Sequence, residues 1–177
     1  QSGCDETLRR MNRAYTTREY REKVEALRSR IPDVAITTDV MVGFPGEDER
    51  EFKESLDFIK EMEFSRMHVF KYSQRKGTCA AEMPGQVDPL EKDRRSSILI
   101  DISRDMEKSF RRKFIGRTLD VLLEEETRGR SGYMEGYTGN YIRVYMKAPK
   151  ELKGMIIKTV IEGEDEDGLN GSVAEYS

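Results

Sequence analysis

The chain has 177 residues, which is enough for one medium-sized domain or two small ones. Charged residues make up 37% and the formal net charge is −3, so the whole chain is not a basic nucleic-acid binder and any RNA-facing surface must be local. No apolar run is long enough to cross a membrane, there is no signal peptide, and Cys4 and Cys79 lack metal-ligand spacing. These features exclude a disulfide framework or zinc site and favour a cytoplasmic protein without membrane contact.

Helical and strand patterns alternate in the first part of the chain. We predict helices over residues 5–14, 17–31 and 49–63, and strands over residues 34–44 and 67–72. Asp5 is expected to cap the first helix. Strands that alternate with helices in this way form a parallel sheet. Because the chain has no initiator Met and enters a helix almost at once, we interpret it as part of a longer protein that begins at the end of a strand.

The turn after the first strand is the strongest sequence signal of a ligand site. Val40–Val42 is apolar, and Gly43-Phe44-Pro45-Gly46-Glu47 then leads into the acidic start of a helix. Ligands of α/β folds bind where parallel strands end. Glycines allow the backbone to approach a ligand closely, although a simple strand-to-helix turn would need the same residues. We therefore predict a cofactor or substrate site that is incomplete within this chain.

The second part of the chain predicts a long helix and then short strands. Asp88 and Pro89 start the helix, and Glu91 is expected to complete a capping box. Strands are predicted over residues 119–123, 133–138, 141–145 and 155–161, with Gly139-Asn140 as a tight hairpin turn. Short antiparallel strands of this kind form a small β-barrel. We place one domain at residues 1–114, including the long linking helix, and a second at residues 115–177.

Several motifs recur in order at the spacing of one known family. They are Gln1-Ser2-Gly3, Met11 to Thr16, Ile36 to Asp39, Val42 to Glu47, His68 to Thr78, and Gly136 to Tyr141. The chain resembles the radical S-adenosylmethionine (SAM) methylthiotransferases, and residues 68–87 resemble most the MtaB-type branch, which acts on N6-threonylcarbamoyladenosine beside the tRNA anticodon. The resemblance implies the C-terminal half of a radical SAM partial (β/α) TIM-like barrel, followed by a small antiparallel β-barrel, the OB-like TRAM domain.

The resemblance also implies cofactors and partners. The full-length enzymes use SAM and two 4Fe-4S clusters to add a methylthio group to C2 of the modified adenosine of tRNA. Iron–sulfur clusters need several thiolates, and the two cysteines of this chain do not supply them. We therefore expect no catalytic residue and no metal ligand in this chain, and no activity from the chain alone.

The family resemblance assigns cofactor contacts to eleven residues. Arg13 would bind the SAM carboxylate through two donors, while Asp39 would either face the ligand or be paired structurally. The predicted cofactor-binding residues are Gln1, Ser2, Gly3, Arg13, Asp39, Gly43, Phe44, Pro45, Gly46, Glu47 and Tyr72. His68, the single histidine, is expected to be packed and hydrogen-bonded rather than catalytic.

Cations interleaved with tyrosines near the C-terminus predict an RNA-binding surface, because cations bind phosphates and aromatic rings stack on bases. The predicted RNA-binding residues are Arg112, Lys113, Arg117, Arg130, Tyr137, Asn140, Tyr141 and Arg143. Some of these tyrosines could instead pack in the core. The acidic segment 162–167 is expected to be a solvated turn that faces away from RNA.

Three further hypotheses are compatible with the sequence. The full-length protein could be a sibling enzyme that acts on isopentenyladenosine in tRNA or on a ribosomal protein. The chain could be an RNA-binding module without chemistry. The exposed edge of a half-barrel could also pair with a second copy of the chain.

Overall fold

The strand patterns on either side of the third helix form a parallel pair. In a computed structural model of the chain, which describes residues 1–174, β1 (Thr37–Val42) and β2 (Arg66–Lys71) run parallel with Thr37 opposite Arg66. Both strands are shorter than predicted, but their parallel order is confirmed. The helix between them supplies the crossover that parallel strands require.

Five α-helices and one short 3₁₀-helix, Lys150–Leu152, are present in the described residues. The bounds of the α-helices are α1 Asp5–Arg10, α2 Thr17–Arg30, α3 Glu49–Met62, α4 Cys79–Glu82 and α5 Pro89–Arg112. The first helix ends earlier than predicted, because Asn12 adopts a left-handed backbone with φ of 55°. The predicted Asp5 cap is wrong: Cys4 is the N-cap, and the Asp5 carboxylate accepts the Thr17 N–H at 2.7 Å.

A capping box that sequence reasoning missed starts α2. The Thr16 hydroxyl accepts the Glu19 N–H, and the Glu19 carboxylate accepts the Thr16 N–H at 2.8 Å. At the start of α5, Asp88 accepts the Leu90 N–H as a cap should. Glu91 was expected to complete a box there, but its carboxylate binds the guanidinium groups of Arg94 and Arg95 instead.

The first unit, Gln1–Glu107, packs its helices on the β1–β2 pair. The apolar stripe of α3 contributes Phe52, Ile59 and Met62 to a core that also contains Val40 and Val42. The other buried members are Val24, Phe64, Met67 and Leu99. One face of α2, of α3 and of α5 is thus removed from water, whereas α4 has no buried residue.

The second unit, Lys108–Ser177, contains a closed five-stranded barrel, and residues 175–177 of the predicted second domain lie outside the described residues. The strands are β3 Thr118–Glu126, β4 Tyr133–Thr138, β5 Arg143–Lys147, β6 Ile156–Glu164 and β7 Leu169–Val173. Their order around the barrel is β3-β4-β5-β7-β6. A closed barrel is confirmed, but an entirely antiparallel barrel is wrong, because β5 and β7 are parallel.

The fifth strand was not predicted from the sequence. Leu169 is fully buried in the barrel core, but the rest of β7 is mostly polar and follows an acidic turn. The core itself is filled by alternate residues of the strands, as expected for a barrel interior. Its buried members are Phe114, Val121, Leu123, Met134, Ile142, Val144, Met146, Ala148, Ile157, Ile161 and Leu169.

The predicted tight hairpin between β4 and β5 is longer than expected. Strand β5 begins at Arg143 rather than at Tyr141. Tyr141 has a left-handed φ of 62° and its N–H binds the Thr138 carbonyl at 3.0 Å. This conformation turns the chain over residues 139–142 and leaves the Tyr141 side chain exposed.

Candidate functional site

The predicted ligand turn after β1 is filled by its own glutamate. The Glu47 carboxylate accepts the backbone N–H groups of Gly43 and Phe44, at 2.5 and 3.2 Å. Gly43 has a φ of +71°, and a Cβ atom there would lie 2.3 Å from Cγ of Lys92, so no side chain fits this position. In the described chain the two amide groups that could have bound a ligand therefore bind Glu47.

Burial dominates the electrostatics of Glu47. It raises the pKa of this carboxyl above the ordinary value of 4.5, against the lowering effects of Arg95 and the two backbone donors. Buried Arg95 donates to the Glu47 backbone carbonyl at 2.9 Å, and its guanidinium lies 3.6 Å from the carboxylate. An acid in such surroundings holds its proton more tightly than in water.

Two further contacts fix the outer side of the turn. Nε of Arg10 donates to the Pro45 carbonyl at 3.1 Å, and the Gly46 N–H donates to the Gly85 carbonyl at 2.8 Å. Gly43, Phe44, Pro45 and Glu47 are buried, while Gly46 is exposed. The turn at the carboxyl end of β1 is therefore held in place by hydrogen bonds between its backbone groups and other residues of this chain.

Tyr72, another predicted cofactor-binding residue, lies beside this turn. Its ring packs edge-on against Phe44, with the ring centres 5.3 Å apart, and Nζ of Lys92 lies 5.2 Å from the ring centre. The Tyr72 hydroxyl is buried and has no hydrogen-bond partner. A buried hydroxyl of this kind is costly unless a partner reaches it.

The predicted residues near the N-terminus form a separate group along β1. The Gln1 carbonyl accepts the Met41 N–H at 2.9 Å, so residue 1 lies next to the strand. The Gln1 nitrogen lies within electrostatic range of Arg13 and of Asp39. One cationic and one anionic side chain therefore lie near residue 1.

Serine and glycine at positions 2 and 3 contact α3 instead. The Gly3 N–H donates to Oγ of Ser55 at 2.8 Å, and the Ser2 hydroxyl lies 3.5 Å from the same atom. Both residues line a cavity of about 20 Å³, together with Gln1, Tyr15 and other side chains. This space holds about one water molecule, so the cavity itself is no cofactor pocket.

Asp39 and His68 face each other across the β1–β2 pair. Both side chains are exposed. Asp39 is thus on the open face of the sheet rather than in its core. The expectation of a packed His68 is wrong, because this face of β2 has no covering element in the described residues.

Among residues 1–174, no three His, Cys, Asp or Glu side chains are grouped so that they could hold a metal ion. Cys4 is buried and Cys79 is exposed. Two cysteines do not meet the thiolate requirement of an iron–sulfur cluster.

Three of the four predicted RNA-binding arginines are bound by one acidic turn, residues 164–167 at the end of β6. Arg112 binds Glu164 and Arg143 binds Asp167, with closest distances of 2.8 and 2.9 Å. Arg130 and Asp165 form a two-pronged pair with N–O distances of 2.6 and 2.8 Å, so hydrogen bonding to Arg130 lowers the Asp165 pKa. Glu164, Glu166 and Asp167 are exposed, as expected for a solvated turn, while the expectation that this segment faces away from RNA stays a prediction.

The remaining RNA-binding candidates are dispersed over the unit. The Tyr137 hydroxyl accepts two donors of Arg143, at 2.8 and 3.0 Å. Asn140 accepts the Thr138 hydroxyl, and Tyr141 next to it is 86% exposed. Arg117 stacks over Phe114 at 4.9 Å, and Lys113 follows the end of α5.

A concavity on the barrel unit was missed by sequence reasoning. It has a volume of about 400 Å³, and two acidic-turn partners, Arg130 and Asp165, are in its wall. Its other lining residues are Tyr133, Tyr145, Lys147, Glu162, Asn170, Gly171 and Ser172. No sequence pattern brings these residues together, because they come from different strands of the closed barrel.

Comparison with known proteins identifies the relatives of this chain. Residues 1–59 match the family described as the Radical SAM superfamily. Threonylcarbamoyladenosine tRNA methylthiotransferase MtaB of Bacillus subtilis is 41% identical over 164 residues, which are 91% of this chain and 36% of that protein. The resemblance to the radical SAM methylthiotransferases is confirmed.

Other methylthiotransferases match nearly the whole chain. The tRNA-2-methylthio-N(6)-dimethylallyladenosine synthase of Maricaulis maris is 38% identical over 173 residues, covering 98% of this chain and 38% of that protein. The synthase of Aquifex aeolicus is 35% identical over 175 residues, covering 99% and 39%. The chain therefore spans well under half the length of these curated relatives.

In residues 1–174, no helix has the length and apolar character needed to cross a membrane.

Proposed function

We propose that this chain is the C-terminal part of a radical SAM tRNA methylthiotransferase. Its full-length protein would add a methylthio group to C2 of N6-threonylcarbamoyladenosine next to the tRNA anticodon. The first unit would belong to the partial TIM-like barrel, and the second would be an OB-like TRAM domain that binds tRNA. The assigned domain bounds, 1–114 and 115–177, stay a prediction beside the division of the structure at residue 107.

The similarity to the Bacillus protein carries this proposal. It extends over 91% of the chain at 41% identity, and so includes residues of both units. The parallel β1–β2 pair is consistent with a segment of a (β/α) barrel. The closed five-stranded barrel supports the assignment of the second unit to a small nucleic-acid-binding barrel.

SAM would bind at the open face and carboxyl end of β1. On reductive cleavage it would supply the deoxyadenosyl radical, while a second SAM molecule would supply the methyl group. The observation in favour is the opposite charge of Arg13 and Asp39 beside Gln1, which complements the carboxylate and the ammonium of an amino acid. Glu47 would hold the turn rather than contact SAM directly. The buried hydroxyl of Tyr72 without a partner is the second group that would fit a ligand at this end.

The residues of this chain do not fit an iron–sulfur cluster, for which two separate cysteines are insufficient. The two 4Fe-4S clusters of the proposed enzyme would need ligands outside these 177 residues. We therefore propose that the isolated chain is inactive.

The proposal is tested by disrupting the gene that encodes this chain and analysing total tRNA nucleosides by mass spectrometry. We expect 2-methylthio-N6-threonylcarbamoyladenosine to disappear and its precursor without the methylthio group to accumulate. Complementation with the intact gene should restore the product. Unchanged nucleosides in the disrupted strain would refute the proposal.

A sibling activity on isopentenyladenosine is the second candidate. The names of the Maricaulis and Aquifex relatives refer to dimethylallyladenosine, and they cover slightly more of this chain than the Bacillus protein does. The same mass-spectrometric analysis separates the two candidates, because the methylthio group would then be lost from isopentenyladenosine.

A non-catalytic role and self-association predict different behaviour. A non-catalytic RNA-binding module would bind tRNA while its gene disruption leaves all methylthio nucleosides in place. Pairing of a sheet edge with a second copy would appear as a dimer in light scattering. The cytoplasmic location stays a prediction.

A further inference from the structure

The acidic turn of the barrel unit makes the same kind of contact that RNA phosphates make. We propose that Asp165, in the wall of the barrel concavity, and its neighbours Glu164 and Asp167 outside that wall occupy the positions of RNA phosphates. An RNA strand would bind along the concavity by displacing this turn from the arginines. This inference rests on the proposed function, because it takes tRNA as the partner. It adds a location for the RNA and a competitor that the RNA must replace.

The pairing geometry supports this exchange. Arg130 binds both oxygens of Asp165 through two nitrogens, and the guanidinium group binds a phosphate through the same fork of donors. Arg112 likewise directs two nitrogens, at 2.8 and 2.9 Å, at one oxygen of Glu164. The carboxylates thus lie where phosphate oxygens would satisfy the same donors.

The surroundings of the pair favour a nucleotide strand over a free anion. One face of the β4–β5 pair carries alternate residues of both strands, because the register pairs Tyr133 with Lys147, Glu135 with Tyr145 and Tyr137 with Arg143. Tyr133 and Lys147 are exposed and line the concavity of about 400 Å³. Tyr145 is also in its wall, but it is buried and its ring lies under the Arg130 guanidinium. Aromatic rings beside cations are the usual platform for single-stranded nucleic acid.

The turn is suited to displacement. The Arg143–Asp167 pair is open to solvent, with side chains 34% and 60% exposed, and in the Arg130–Asp165 pair the arginine is 37% and the aspartate 12% exposed. Ion pairs at such positions contribute little to stability and exchange readily. The four consecutive carboxylates of Glu164–Asp167 would also repel one another once RNA phosphates bind their arginine partners.

Because the barrel unit has no net charge, competition between the acidic turn and RNA for the arginines should strongly affect RNA affinity. Residues 108–177 contain equal numbers of basic and acidic residues, so the unit has no net charge to attract RNA over a long range. Affinity must then come from the local placement of cations, and the acidic turn covers three of the predicted ones.

The test compares tRNA binding by the full chain and by D165N, using fluorescence anisotropy at several salt concentrations. E166Q is the matched control, since it removes one negative charge from the neighbouring residue, whose carboxylate has no hydrogen bond to Arg130. One additional phosphate contact should tighten binding by D165N about fivefold at 0.1 M salt and steepen the salt dependence by about 0.7. E166Q should change the affinity less than about twofold.

Binding by D165N that equals or falls below that of the unaltered chain would overturn the inference, while tRNA binding by the unaltered chain would leave the proposed function standing. If neither protein binds tRNA at any salt concentration, both proposals fail. R130Q should weaken binding, and D165N should bring no gain when it is combined with R130Q.

If D165N does not fold, a measurement on the unaltered chain can test whether tRNA displaces Asp165 from Arg130. Nuclear magnetic resonance can follow the Asp165 carboxyl during a pH titration with and without saturating tRNA. Arg130 lowers the pKa of this carboxyl in the free protein, and its displacement should raise the pKa toward the ordinary value of 3.8. A carboxyl that stays at its lowered pKa in the complex would show that the turn is not displaced.

Discussion

At the scale of single residues, Arg10 makes the burial of Glu51 tolerable. The Glu51 side chain is only 4% exposed, and its carboxylate receives hydrogen bonds from two nitrogens of Arg10 and from the Thr7 hydroxyl. Burial raises the pKa of Glu51, but these partners outweigh it and the pKa is lowered. A buried carboxylate that loses such partners carries an uncompensated charge.

We expect Arg10→Met to lower the free energy of unfolding by about 3–5 kcal/mol, because it leaves the Glu51 charge buried without its partner. Arg9→Met is the control in the same helix. Arg9 is 72% exposed and pairs only with Glu6, so its loss should cost less than about 1 kcal/mol. Urea unfolding followed by circular dichroism measures both. Equal losses in the two variants would contradict this role of Arg10.

The lowered pKa of the Glu91 carboxyl predicts how the stability of the first unit responds to acid. Hydrogen bonding to Arg94, and then to Arg95, lowers the pKa of this carboxyl from 4.5 to about 2. Since the folded-state value is below the ordinary one, the ionised carboxylate stabilises the fold. This contribution is complete above about pH 4.5 and is lost as the pH falls toward 2.

The melting temperature of Glu91→Gln should be lower than that of the unaltered chain at about pH 7, and the difference should shrink at about pH 3. Thermal unfolding at both pH values measures this effect. Asp57→Asn changes an exposed carboxylate of α3 and should keep the full acid sensitivity. A difference between Glu91→Gln and the unaltered chain that does not depend on pH would exclude this role.

At the scale of elements, the close approach of β3 and β4 depends on Gly136. A Cβ atom at this position would lie 2.0 Å from the Leu122 carbonyl oxygen. This oxygen belongs to the backbone, so it cannot move away by a change of side-chain rotamer. The register of the two strands shifts between Leu123 and Glu125, next to this contact. Glycine in a strand often marks such a close approach or a bulge.

Gly136→Ala should therefore destabilise the barrel unit by about 1–3 kcal/mol or more, as overpacking does elsewhere. Gly139→Ala is the matched control, because a Cβ atom there meets no other atom within 4 Å, and its effect should stay within about 0.5 kcal/mol. Chemical unfolding with a probe in the barrel unit compares the two. A tolerated Gly136→Ala would show that β3 and β4 can separate without cost.

Local chemistry accounts for the elements that the sequence predicted well. The apolar stripe of α3 and the Asp88-Pro89 start of α5 are short-range patterns, and both helices form where these patterns lie. Strand β7 was missed because its burial comes from pairing with β5 and β6, which are distant in the sequence. Strand preference depends on such neighbours more than on the strand itself.

At the scale of the whole molecule, positive charge is available only locally, because the net charge of the chain is −3. One exposed cation, Lys147 of β5, lines the barrel concavity. Binding of tRNA by such a molecule must rely on a few local phosphate contacts, each of which releases counterions.

Lys147→Gln should reduce the slope of log affinity against log salt by about 0.7 to 0.9, since one phosphate contact is lost. Lys53→Gln, which changes an exposed lysine of α3, should leave the slope unchanged. Anisotropy titrations of labelled tRNA between about 50 and 200 mM salt distinguish them. The same slope for both variants would place the RNA away from the concavity.

Motifs in the sequence determined the family resemblance, the parallel strand pair and the turn at Gly43–Glu47, because each depends on residues that are close in the chain. Tertiary structure alone decided that Glu47 fills this turn and that the acidic turn binds Arg112, Arg130 and Arg143. Ion pairs and cavities depend on distances between segments that folding brings together. Those distances follow from the packing of a whole barrel, for which local spacing carries no signal.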